Sequence, residues 1–134
     1  SELMKKGNLT TTINYEKFLE KKLLNIEKNN PISHIKKFEV LKGDAVQKTK
    51  ELIKKNKHLI ISMVYFDFDV FEPTLKCLEI IKPRLVKGSV VAFDELNDPD
   101  SPGETLALMK SIGLNKITLK RHKFASRISY FVFN

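Results

Sequence analysis

The stretch that decides the fold is residues 59–96, which read LIISMVYFDFDVFEPTLKCLEIIKPRLVKGSVVAFDEL. It contains two short apolar runs, at 59–66 and 89–93. Between them, apolar residues recur at helical spacing, namely Leu75, Leu78, Ile81 and Leu85. Pro73 suits the first turn of a helix, whereas Pro83 is expected to distort the last one. The pattern predicts a strand, a helix and a second strand, with both strands buried on both faces, as parallel strands usually are.

Acidic residues follow each of the two predicted strands. Asp67 and Asp69 come after the first strand, and Asp94 and Glu95 come after the second. A right-handed crossover makes the strands parallel, so their carboxyl ends lie at the same edge of the sheet. If the strands are neighbours, about 5 Å apart, the four carboxylates converge on one crevice. This convergence is the main functional prediction from the sequence.

Carboxylates gathered at one crevice favour a hard divalent cation, with Mg²⁺ first and Ca²⁺ or Mn²⁺ as alternatives. Thiolate and imidazole ligands do not occur in the cluster, which argues against zinc. Asp67, the first residue after its strand, is a candidate cation ligand or general base. The alternative interpretation is structural, because acids after strands often cap the next helix or face water. Asp69 in particular is expected to hold the turn that leads into the helix.

The composition is that of one soluble globular domain spanning 1–134. Hydrophobic residues make up 42% and charged residues 30% of the chain, and no apolar stretch reaches the length of a membrane span. The net charge of +8 lies mostly in residues 1–58, as lysines on predicted helix surfaces without interleaved aromatic residues. We therefore expect neither a nucleic-acid nor a membrane partner. The single Cys77 allows no internal disulfide, which favours a reducing, cytoplasmic setting.

The rest of the chain continues the alternation of helices and strands. Further helices are predicted at 15–26, 45–56 and 103–112. Further strands are predicted at 38–42, 116–124 and 127–133, the last two as a hairpin. Asn14 is a plausible N-cap of the first helix, Asp44 followed by Gln47 matches a capping pattern for the second, and segment 1–14 is expected to be largely irregular. The order predicts an α/β sheet that ends in a hairpin. The three histidines, which have no ligand spacing, are expected at the surface or in turns: His34, His58 and His122.

Residues 65–104 resemble part of a known family, the S-adenosylmethionine-dependent O-methyltransferases of the macrocin O-methyltransferase type. One mark is the aspartate pair at 67 and 69 followed by Phe71-Glu72-Pro73-Thr74. The others are a P-x-L-x-x-G turn at 83–88, an acid pair after the next strand and P-G-E at 102–104. More loosely, the resemblance extends from Thr10 to Asn134. It covers the carboxyl-terminal half of such enzymes.

The resemblance implies a partial class I methyltransferase fold. This is a Rossmann-like, mostly parallel sheet with a carboxyl-terminal antiparallel hairpin, in which the first two strands are absent. The chain would then be the carboxyl-terminal part of a methyltransferase domain. The implied reaction is Mg²⁺-assisted methyl transfer from S-adenosylmethionine to a hydroxyl of a sugar or glycoside.

Individual roles follow from the same resemblance. The implied metal ligands are Asp67, Asp94 and Glu95. Asp67 is also implied as the base on the sugar hydroxyl, and Gly43, Asp44 and Ala45 as the loop against the adenine of the cofactor, with Asp44 bonding its exocyclic amine. In many relatives the second acid pair is Asp-Asp, so Glu95 departs from the family by one methylene.

Two alternatives to this enzyme stay open, because the glycine-rich cofactor loop of the family does not occur in these 134 residues. One is a non-catalytic half-domain that forms a homo-oligomer, or binds a partner, through exposed strand edges. The other is a different metal-dependent α/β enzyme, such as a phosphoryl-transfer protein, although the chain has no phosphate loop either.

Overall fold

The structure is a computed structural model that describes residues 13–125 and 127–134. Its helices are α1 (Tyr15–Glu27), α2 (Ala45–Lys55), α3 (Phe71–Ile81) and α4 (Gly103–Ser111). Its strands are β1 (Ile61–Phe66), β2 (Leu85–Phe93), β3 (Lys120–Arg121) and β4 (Ser129–Val132). Most of the segment expected to be irregular at the amino terminus, residues 1–12, lies outside the described residues.

The four strands form one sheet in the order β1-β2-β4-β3. β1 and β2 are parallel, with Phe66 opposite Phe93 in the register. β4 pairs antiparallel with both β2 and β3, which confirms the terminal hairpin, although its strands are shorter than predicted. The sheet is therefore mixed, and the α/β class is confirmed. Because β1 and β2 are parallel neighbours, their carboxyl ends lie side by side.

The core consists of aromatic and aliphatic side chains from the sheet and from α3 and α4. The rings of Phe66 and Phe93 stack with their centroids 5.1 Å apart. Phe93, Phe131, Leu78 and Leu108 are fully buried. The predicted stripe of α3 therefore faces the core. Its last member, Leu85, instead begins β2 after a 3₁₀ turn at Lys82–Arg84, which is the distortion expected from Pro83.

Two local predictions from the sequence were wrong, and a third is confirmed in position only. The segment 38–42 is not a strand, because within the described part of the chain no strand pairs with it to form a ladder. β1 is not buried on both faces: Met63, whose side chain points to one face of the sheet, is 62% exposed. Asn14 is the N-cap residue of α1, as predicted, but its φ is 62° and its side chain makes no capping hydrogen bond. By contrast, Asp44 does cap α2, as predicted: Asp44 Oδ1 accepts a hydrogen bond from the backbone N–H of Gln47 at 3.0 Å.

Candidate active site

The ends of β1 and β2 bring together the four predicted acids, called here the carboxylate group: Asp67, Asp69, Asp94 and Glu95. The backbone N–H of Asp94 donates to the carbonyl oxygen of Phe66 at 3.0 Å, which continues the parallel pairing one step beyond β2. Partial burial, followed by the charges of Asp94 and Glu95, raises the pKa of Asp67. Burial and the same neighbouring acids also raise the pKa of Asp69. The carboxylates are thus close enough to repel one another.

Two members of the carboxylate group have partners of their own. The hydroxyl of Tyr65 donates a hydrogen bond to Oδ1 of Asp94. Burial, and then this contact with Asp94, raise the pKa of Tyr65, so the phenol stays protonated at neutral pH. Glu95 forms an ion pair with Arg127, which also lies 3.2 Å from Oδ2 of Asp98. Arg127 therefore ties the loop after β2 to the terminal hairpin and draws Glu95 towards it.

Asp69 has the structural position that the sequence predicted. Its backbone lies in the left-handed region with φ at 59°, which aspartate adopts more readily than most residues. The next residue, Val70, accepts a hydrogen bond from the hydroxyl of Thr74 at 2.7 Å. Asp69 therefore forms the turn into α3. The three histidines are exposed, and His122 lies in the hairpin turn, where its Nδ1 accepts from the N–H of Phe124 at 3.2 Å.

Glu104, in the first turn of α4, is a buried acid whose role the sequence analysis missed. Its side chain is fully buried, and it accepts hydrogen bonds from the backbone N–H groups of Phe68 at 3.0 Å and Glu95 at 3.2 Å. Burial raises its pKa, although these backbone bonds and one from Asp69 oppose the rise. Glu104 is the last residue of the P-G-E motif at 102–104, but nothing in the sequence indicates that its side chain points inward.

The predicted cation ligands do not form a complete set. Among residues 13–125 and 127–134, no three Asp, Glu, His or Cys side chains are arranged so that they could hold one metal ion. Asp67 and Asp94 do fit a hard cation in chemistry, because both are carboxylates and their repulsion is what a cation would relieve. Glu95 fits less well, since Arg127 already neutralises it. A cation at this edge stays a prediction.

The predicted adenine loop lies at the start of α2, beside α3. Gly43 has φ at 138°, a conformation that other residues rarely adopt. Glu72 first, and Asp44 more weakly, raise the pKa of Lys76 on α3, which places Asp44 near that helix. A carboxylate that caps a helix through one oxygen can accept further hydrogen bonds, so the capping role is compatible with the predicted contact to an amine.

Replacing Asp67 with asparagine is expected to stabilise the protein slightly at neutral pH. The folded state raises the pKa of Asp67, so it binds the proton more tightly than the unfolded state does. Stability from this group is therefore present at low pH and is lost as pH rises through the raised pKa. The gain in the free energy of unfolding should stay below about 1 kcal/mol, since solvent screens an exposed carboxylate. Urea unfolding at pH 7 and pH 3 measures it, and a gain that does not shrink at pH 3 would contradict the electrostatic cause.

Comparisons with family models and with curated sequences find no relative of this chain. No family model matches the chain, and no curated protein sequence matches it significantly.

No helix in the described part of the chain is long and apolar enough to cross a membrane.

The solved structures that are similar to this chain include two of the same protein, CalS11. A crystal structure of CalS11, a calicheamicin methyltransferase, is 32% identical with a TM-score of 0.89, and the match covers 96% of this chain and 51% of that one. An apo structure of CalS11 is described as a TDP-rhamnose 3'-O-methyltransferase in calicheamicin biosynthesis. It is 34% identical with a TM-score of 0.86, and the match covers 92% of this chain and 55% of that one. The chain thus has a methyltransferase-like fold and spans about half the length of the solved structures that it matches.

Proposed function

We propose that this chain belongs to an enzyme that transfers a methyl group from S-adenosylmethionine to a hydroxyl of a sugar or glycoside. The observation that carries the proposal is the likeness to a sugar O-methyltransferase, at 32% identity over 96% of this chain. The carboxylate group supports it independently, because it lies where open α/β sheets place their ligands. The motifs around 65–104 further suggest the macrocin O-methyltransferase type.

S-adenosylmethionine, when bound, supplies an activated methyl group that a sugar hydroxyl takes up by direct displacement. We propose Gly43, Asp44 and Ala45 as the adenine contact, with the carboxylate of Asp44 accepting from the exocyclic amine. The exposed position of Gly43 and Asp44 next to α3 supports this assignment, since a ligand can reach the loop from solvent.

We propose Asp67 as the general base that accepts the proton of the sugar hydroxyl. Its raised pKa supports this role, because a base works best when its pKa approaches the working pH. We propose Asp67 and Asp94 as ligands of Mg²⁺. Glu95 can serve as a third ligand only if its ion pair with Arg127 breaks. The cation, when bound, lowers the pKa of a coordinated hydroxyl. The hydroxyl of Tyr65 bonds to the carboxylate of Asp94 and orients it at the strand end.

A transfer assay tests the proposal. The protein expressed from its complete gene would be incubated with S-adenosylmethionine, Mg²⁺ and a panel of nucleotide sugars that begins with TDP-rhamnose. We expect mass spectrometry to detect a sugar product heavier by one methylene, and a chelator to abolish it. If neither a methylated sugar nor S-adenosylhomocysteine forms with any acceptor, the proposed reaction is wrong.

A second candidate function is self-association through the open edge of β1. It is favoured by one observation: this strand has a partner on one side only within the described sheet, and Ile60 and Met63 beside that edge are 65% and 62% exposed. An unpaired strand edge can pair with a second copy of the chain. Light scattering tests this candidate, since a monodisperse monomer would count against it.

A further inference from the structure

We infer that Glu104 is a positioning residue that fixes the two acid-bearing loops, 67–69 and 94–95, relative to each other. One oxygen of its carboxylate accepts from the N–H of Phe68 at 3.0 Å, and the other accepts from the N–H of Glu95 at 3.2 Å. A single side chain thus bonds to the loop after β1 and to the loop after β2. Its link to catalysis rests on the proposed function, whereas the bonds themselves do not.

The position of the Glu104 side chain between the two loops requires a carboxylate. The side chain of Glu104 is fully buried, so its charge must be balanced by donors from the protein. Both of its oxygens face backbone N–H groups, and a carboxylate is an acceptor at both ends. A glutamine would present an NH₂ group, a donor, to one of the two loops. One of the two connections would then be lost while the shape of the side chain is kept.

The backbone around Glu104 is fixed as closely as its side chain. A Cβ atom on Gly103 would lie 2.5 Å from the carbonyl oxygen of Asp69 and 2.5 Å from the backbone nitrogen of Phe71, so α4 begins in direct contact with the turn into α3. On the other side, the hydroxyl of Thr105 accepts from the N–H of Asn97 at 2.8 Å. Three consecutive residues therefore hold the start of α4 against both loops.

The consequence is a fixed separation between the carboxylates that the proposed reaction uses. Asp67 is next to Phe68, and Asp94 is next to Glu95, so each lies one residue from an N–H that Glu104 binds. A displacement of about 1 Å in such a site can lower a rate by about 100-fold. Glu104 acts on the reaction through these two loops and needs no contact with the substrate.

The test is Glu104→Gln in the protein expressed from its complete gene, with Glu72→Gln as the matched control. Glu72 is an exposed glutamate that pairs with Lys76, so the control makes the same chemical change outside the site. Hydrogen exchange measured by NMR should show at least about tenfold faster exchange at Phe68 or Glu95, the lower end of what a lost hydrogen bond to a charged group allows. The N–H of Asp94, which bonds to Phe66, should stay protected. The rate kcat should fall about 10- to 100-fold with little change in KM for S-adenosylmethionine.

Each outcome decides the inference. Rapid exchange of both amides in the wild-type protein, or unchanged protection in the variant, would show that Glu104 does not hold the loops. Faster exchange with unchanged kcat would remove the link to catalysis. If the wild-type protein transfers no methyl group, the proposed function fails, and the exchange data alone decide the structural role. If Glu104→Gln does not fold, Glu104→Asp, which is shorter by one methylene, serves in its place with the same expected results.

Discussion

Replacing Asp67 with asparagine is expected to lower the rate of methyl transfer by about 1,000-fold, the middle of the range for removal of a general base. Asparagine has nearly the same size but cannot accept the proton of the sugar hydroxyl, and it is a weaker ligand for a hard cation. The side chain lies at the exposed end of β1, so the fold should be unaffected. The measurement is kcat with saturating S-adenosylmethionine, together with a circular dichroism spectrum to confirm folding.

The matched control for this substitution is Asp100→Asn, on the loop that follows β2. Asp100 is exposed, and its carboxylate is outside the carboxylate group. We expect this variant to transfer methyl groups at the wild-type rate. An Asp67→Asn enzyme that keeps more than about a tenth of the wild-type rate would be inconsistent with a base at this position.

Replacing Phe93 with alanine is expected to lower the free energy of unfolding by about 3–5 kcal/mol. Phe93 is fully buried, stacks on Phe66 and lies opposite it in the parallel register, so its loss leaves a cavity beside the paired strands β1 and β2. A domain of this kind has a total stability of about 5–15 kcal/mol, so the substitution should remove a large part of it. Urea unfolding followed by circular dichroism measures the change.

Met63→Ala on β1 is the control for the core substitution. Met63 also belongs to the sheet, but its side chain is 62% exposed, so the change in the free energy of unfolding should stay within about 0.5 kcal/mol. If Phe93→Ala and Met63→Ala both lowered the free energy of unfolding by the same small amount, Phe93 would not be part of a packed core.

The sequence predicted the elements whose patterns are local. The apolar runs that end in Asp67 and Asp94 indicated two parallel strands, and the spacing between them indicated α3, because burial of one helix face imposes a regular period. The sequence also predicted the helix cap at Asp44 and the distorted turn at Pro83, because capping and proline effects depend on a few adjacent residues. These features place the carboxylates at one edge of the sheet.

The features that the sequence could not predict depend on residues distant in the chain. Segment 38–42 has strand-like residues, but a strand forms only where another strand pairs with it. The inward position of Glu104 depends on N–H groups from loops 36 and 9 residues away. The pairing of Glu95 with Arg127 depends on the terminal hairpin, 32 residues further on. Side-chain partners of this kind become apparent only when the fold has brought them together.

The most direct test of the central claim, that the ends of β1 and β2 form one site for a hard cation and an acceptor hydroxyl, is a calorimetric titration with Mg²⁺. It would use the protein expressed from its complete gene, with S-adenosylmethionine present, and compare the wild type with Asp94→Asn. We predict saturable binding to the wild type and at least about tenfold weaker binding to the variant. Absence of binding to the wild type, or equal affinity for the two proteins, would contradict the claim.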